Sequence, residues 1–125
     1  MPINLELTRL LKKYGSHPDF LGCELSDVNQ RGAVDDSVLH IVARSGDVDD
    51  IDALLNGGAA IDMLGDLGNT PLHQAVMSGN HRVVEKLLLR GADQGILNEF
   101  GQTPMDVARI GGHDKIIEIL QRAKR

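Results

Sequence analysis

The chain has 125 residues and carries 18 acidic against 13 basic side chains, a formal net charge of −5. That balance argues against a nucleic-acid partner, which calls for a basic stripe, and no apolar run approaches membrane-spanning length. With two Phe, one Tyr and no Trp, one domain is expected, its core drawn from Leu, Ile, Val and Ala.

The first elements are the least regular. Met1-Pro2-Ile3-Asn4-Leu5-Glu6-Leu7 has an early acid and no continuous apolar stretch, so it does not read as a signal peptide. Leu5, Leu7, Leu10, Leu11 and Tyr14 fit one face of an amphipathic helix. Gly15-Ser16-His17-Pro18 then marks a turn, and Asp19-Phe20-Leu21 opens a second short helix. Cys23 is alone, which rules out an intramolecular disulfide and points to a reducing compartment, expected to be the cytoplasm.

Further along, the chain repeats itself. Thr70-Pro71-Leu72-His73-Gln74-Ala75 recurs 33 residues upstream as Ser37-Val38-Leu39-His40-Ile41-Val42 and 33 downstream as Thr103-Pro104-Met105-Asp106-Val107-Ala108. Gly46, Gly79 and Gly112 keep the same register, as do Ile51, Val84 and Ile117, then Leu54, Leu87 and Leu120. Such a period implies a stack in which each unit buries its apolar face against its neighbours. Pro71 and Pro104 suit the first helical position, with Thr70 and Thr103 as N-caps. Val83, Val84, Leu87 and Leu88 share one face of a second helix, which Gly91 can end in the left-handed conformation, as Gly58 can one unit earlier. Gln121 stands where inner units have Leu55 and Leu88, and Asp106 where they have His40 and His73. Polar replacement suits an outermost element with no neighbour beyond it.

These columns resemble the ankyrin repeat, most fully in the copy running from Thr70 through Gly79-Asn80 and Val83-Val84-Glu85-Lys86-Leu87-Leu88 to Gly91-Ala92-Asp93. The resemblance implies an all-α ankyrin-repeat solenoid of antiparallel helix pairs joined by β-hairpin fingers. The implied units are a divergent N-terminal capping repeat over residues 1–30, then repeats over 31–63, 64–96 and 97–125. In that family the motif His hydrogen-bonds the adjoining turn, which implies structural roles for His40 and His73.

Reactive constellations are missing from the sequence. There is no HxxxH, CxxC or CxxH spacing for a metal. Counting a calcium loop from Asp47 puts Asp52 where glycine is needed and Gly58 where an acid is needed. No nucleophile elbow, P-loop or dinucleotide fingerprint is present. No enzyme, cofactor or metal is expected.

What the resemblance implies instead is a protein partner, gripped by the finger tips and the exposed face of each first helix. The tip positions are Val34, Leu67 and Phe100, with Asp36, Asp66, Asn69, Glu99 and Gln102 beside them. The helix face contributes Arg44, Met77 and Ile110. Leu67, Met77, Phe100 and Ile110 then form an apolar strip of the kind that marks a binding site. Asp35, Asp36 and Asp66 would rim it with charge suited to a basic partner. The alternative is that the tips, with Leu64 and Leu97, pack on one another. The short chain, with Asp27-Val28-Asn29-Gln30-Arg31-Gly32-Ala33 and Asn98-Glu99-Phe100-Gly101-Gln102-Thr103, also looks like small bacterial ankyrin proteins that serve as immunity proteins in toxin systems. That makes a toxin inhibitor the alternative to a general adaptor. A monomer is expected.

Overall fold

The computed structural model describes residues 5–15, 29–32 and 36–123. Seven α-helices run through them: α1 (Leu5–Gly15), α2 (Val38–Ser45), α3 (Val48–Asn56), α4 (Pro71–Met77), α5 (His81–Leu89), α6 (Pro104–Ile110) and α7 (Asp114–Ala123). The first helices α2, α4 and α6 pack in one layer, the second helices α3, α5 and α7 in another, and each first helix packs on the second helix of its own unit. No strand occurs among the described residues. The fingers expected as β-hairpins are here five-residue loops, too short to build a ladder. Each closes on itself, through Gly65 N–H to the Asn69 carbonyl (2.8 Å) and Asn98 N–H to the Gln102 carbonyl (2.9 Å).

Local chemistry sets both ends of these short helices. Thr70 Oγ1 accepts the N–H of His73 at 3.2 Å, and Thr103 Oγ1 that of Asp106 at 3.2 Å. Asp47 and Asn80 cap the second helices by accepting from Asp50 and Val83. At the other end, Gly58 and Gly91 adopt φ 98° and 94°. The turn around each is closed by paired backbone bonds, Ala59 N–H to Leu54 and Gly58 N–H to Leu55, repeated at Ala92 and Gly91. That left-handed closure satisfies carbonyls a helix end leaves open, and glycine adopts it at little cost.

The core is one continuous apolar seam between the two layers. Leu39, Ile51, Leu54, Leu72, Leu87, Ile116 and Leu120 are all fully buried. At the last unit Gln121 is exposed where Leu55 and Leu88 are half-buried. At the other end α1 packs on α3, with Leu10 and Leu11 buried. Gly57 admits this helix, because a Cβ there would lie 2.8 Å from a methyl of Leu7. Tyr14 Oη and Lys13 Nζ both donate to Asp50 Oδ2, at 2.7 and 2.9 Å. Burial pushes the Asp50 carboxyl up, but these two donors outweigh it and hold it below its usual range. Burial, then the hydrogen bond to Asp50, pushes the Tyr14 phenol up to about 12. The turn at residues 16–18, the short helix expected from Asp19, and Cys23 lie outside the described residues.

Between units, buried imidazoles make the polar connection. His40 Nδ1 accepts the Ser37 N–H at 3.1 Å while its Nε2 meets the Asn69 carbonyl at 3.0 Å. His73 does the same with the Thr70 N–H (3.1 Å) and the Gln102 carbonyl (2.9 Å). A carbonyl only accepts, so Nε2 carries the proton and the ring is neutral. Burial lowers both pKa values below the ordinary value near 6.5; nearby Asp36 partly opposes this at His40, and the Gln102 carbonyl does so at His73.

Two outcomes follow from this packing. Leu87→Ala, at a site with no solvent exposure, should lower unfolding free energy by about 2–5 kcal/mol in urea titrations. The second concerns pH. Because both imidazoles bind protons less readily folded than unfolded, their contribution is complete above pH 6.5 and falls as pH drops below it. Denaturation midpoints should therefore decline between about pH 7 and 5, and the decline should flatten in a His40→Gln, His73→Gln variant.

Candidate functional site

The two described fingers present their tips differently. In the Leu64–Asn69 finger the chain makes a single turn over Asp66–Gly68, with Leu67 in the left-handed region at φ 58° and ψ 23°. In the Leu97–Gln102 finger, Asn98 Oδ1 accepts the N–H groups of both Phe100 and Gln102 at 3.0 Å, and Phe100 keeps a negative φ. The fingers are tied to each other by Glu99 N–H to the Leu67 carbonyl, 3.0 Å. Leu67 and Phe100 thus stand on adjoining tips, 45% and 66% exposed. Leu64 and Leu97 are exposed as well, so the tips do not bury one another.

At the C-terminal ends of the first helices, Met77 and Ile110 are 44% and 73% exposed. They share a groove of about 300 Å³ with Gln102, Val107, Gly111 and His113. His113 is not among the surface positions to which the sequence points. Its ring lies so close to Gly111 that a Cβ there would meet Cδ2 at 2.6 Å. The signal is a broken column, since Ser45 and Ser78 stand where this chain has Gly111.

Several of the polar positions expected on the surface belong to the framework instead. Asp36, expected as rim charge, is 1% exposed. Its Oδ2 binds Arg44 at 2.8 Å and its Oδ1 accepts the Asp66 N–H at 2.9 Å, so it anchors the next finger rather than facing a partner. Arg44 is correspondingly tethered. Asn69 is buried and its Oδ1 accepts from Asn98 at 3.1 Å. Gln102 is shared, its Oε1 accepting from Asn98 while its side chain lines the groove. Asp66 and Glu99 are the exposed acids of the tips. Val34 and Asp35 lie outside the described residues.

Chemically this is a surface of hydrocarbon with acidic edges. His40 and His73 have both ring nitrogens engaged in the framework. Among the described residues, no three His, Cys, Asp or Glu side chains converge as a metal ion would require. No helix there is long and apolar enough to cross a membrane.

A family model described as ankyrin repeats (3 copies) matches residues 4–98 and 39–124, which together take in all seven helices. No curated protein matches the chain. Ankyrin repeats are generally protein-interaction modules and typically non-catalytic. Matched over nearly its whole length, with its motif histidines and repeat glycines in their structural places, the chain belongs to the ankyrin-repeat family.

Proposed function

We propose that the chain is a non-catalytic binding module whose partner protein is held by the tips carrying Leu67 and Phe100 and by the groove at Met77 and Ile110. The observation that carries this reading is the exposure of all four side chains, two on adjoining tips and two across one groove. Contiguous exposed hydrocarbon on a folded surface generally marks a binding site. Leu67 adds a second argument. A leucine held left-handed costs about 1–2 kcal/mol relative to ordinary backbone, and strain of this kind tends to persist where function requires it.

Asp66 and Glu99 flank the strip with negative charge, and the chain as a whole is acidic. Both favour a partner that presents an apolar protrusion edged by Lys or Arg. Toxin neutralisation is a special case of this reading and would use the same tips. Binding is expected to be close to rigid-body, because the fingers are already ordered by their own hydrogen bonds.

The test is affinity capture from the native host's lysate with wild type and with Leu67→Asp, Phe100→Asp. A stoichiometric, basic protein should co-purify with wild type and be lost from the variant, while circular dichroism and cooperative unfolding stay unchanged. Retention of the partner, or collapse of the variant, would overturn the assignment. Leu67→Gly separates the two further. Relief of the left-handed strain should leave stability unchanged or raise it by up to about 1 kcal/mol, and affinity for the captured partner should still fall.

A further inference from the structure

The 33-residue period makes successive junctions in the second-helix layer directly comparable. At the α3–α5 junction Asp52 pairs with Lys86 at 3.0 Å and with Arg90 at 2.9 Å. Arg90 also donates to Asn56 at 2.8 Å. One unit along, at the α5–α7 junction, Glu85 takes the place of Asp52, Leu89 of Asn56, Ile119 of Lys86 and Ala123 of Arg90. The polar clamp has become hydrocarbon, and Glu85 has lost the cations its counterpart uses. Among the described residues Glu85 makes no ion pair.

Those substitutions leave a groove of about 530 Å³ lined by Glu85, Leu88, Leu89, Ile119, Arg122 and Ala123. Leu89 is 81% exposed, the most exposed large apolar side chain described, in a column otherwise held by Asn56 and Arg122. The period also fixes the layout of the groove. Equivalent helices run parallel, so Glu85 is level with Glu118 and Leu89 is level with Arg122. Glu85 and Arg122 therefore occupy diagonal corners, with Leu89 and Ile119 on the other diagonal.

A two-fold axis lying in the contact plane, along the Leu89–Ile119 diagonal, exchanges the Glu85 and Arg122 corners. It would set each Glu85 against the other copy's Arg122 and each Leu89 against the other copy's Leu89, with Ile119, 7% exposed, in the floor of the groove. We propose that the α5–α7 groove is the contact between two copies of this chain, closed by reciprocal Glu85–Arg122 pairs around paired Leu89 side chains. A patch that pairs with itself must carry both charges in this arrangement, whereas a groove built for a uniformly basic or acidic segment would carry one sign. Arg122 is available for the exchange, since its bond to Glu118 (3.2 Å) joins two side chains that are each mostly exposed. The contact shares no residue with the finger tips, so a dimer would present two of the proposed binding strips.

Sedimentation equilibrium over a range of concentrations tests this with four proteins: wild type, Leu89→Asn, Glu85→Arg, and Glu85→Arg with Arg122→Glu. Wild type should form a reversible dimer. Leu89→Asn and Glu85→Arg should each weaken self-association by about tenfold or more, and the double charge exchange should recover most of that loss. All four should melt cooperatively, because the altered side chains lie on the surface. A wild type that stays monomeric up to about 1 mM overturns the proposal. So does a dimer indifferent to Leu89→Asn and Glu85→Arg, or a charge exchange that fails to restore what Glu85→Arg removes.

Discussion

A neutral imidazole with both nitrogens engaged is the constraint on which the stack depends. Each first helix needs its N-terminal N–H groups satisfied, and each finger base buries a carbonyl that needs a donor. His40 and His73 meet both needs at once, accepting from the capping residue and donating to the next finger. A glutamate at the same position could close the cap but would offer no donor to the neighbouring unit. The helix start of one repeat and the finger of the next are thereby locked to a single tautomer. Asp106 shows the converse. Its Oδ2 accepts the Thr103 N–H at 3.0 Å, which preserves the cap without a donor for a following finger.

Fixing each finger at its base leaves the tip side chains of Leu67 and Phe100 free of framework duties. Asp36 extends the same logic, since its buried carboxylate spans from Arg44 to the Asp66 N–H and so sets where the Leu67 turn begins. Gly65 makes that approach possible, because a Cβ there would lie 2.8 Å from His40 Nε2 and closer still to Asp36. With base and approach both determined, Leu67 and Phe100 contribute nothing to the core and can diverge without disturbing it. Exposed hydrocarbon at such positions is therefore informative in a way that an exposed leucine elsewhere is not.

Much of this was legible in the sequence because it is local and repeated. Caps, left-handed glycines and the apolar seam depend on a few neighbouring residues, and the period displays each of them more than once. Burial of polar side chains is a different matter. Asp36 and Asn69 fall in turns and read as surface by hydropathy, yet both are buried, and each has a partner 29 or 30 positions away. A single chain does not reveal such pairings. Leu89 is hidden for the opposite reason, because Leu87-Leu88-Leu89 reads as one apolar run while Leu87 is buried and Leu89 projects outward. The first helix departs from the period too. Residues 5–12 stand 33 before α2, but α1 packs on α3 and is held there by Asp50.

Departures from a repeat carry more meaning than the repeat itself. Inside a stack every unit answers to two neighbours, so a column that changes character marks either an end of the array or a place where something outside it takes over. Gln121 and Asp106 are polar where the preceding units are apolar or bifunctional. The replacement of Asn56, Lys86 and Arg90 by Leu89, Ile119 and Ala123 runs the other way, from polar to apolar, while Glu85 keeps the acid of Asp52. Solubility alone would favour the reverse change. Hydrocarbon gained at that point, together with a carboxylate left without its cations, is accounted for if the surface is covered in the working assembly.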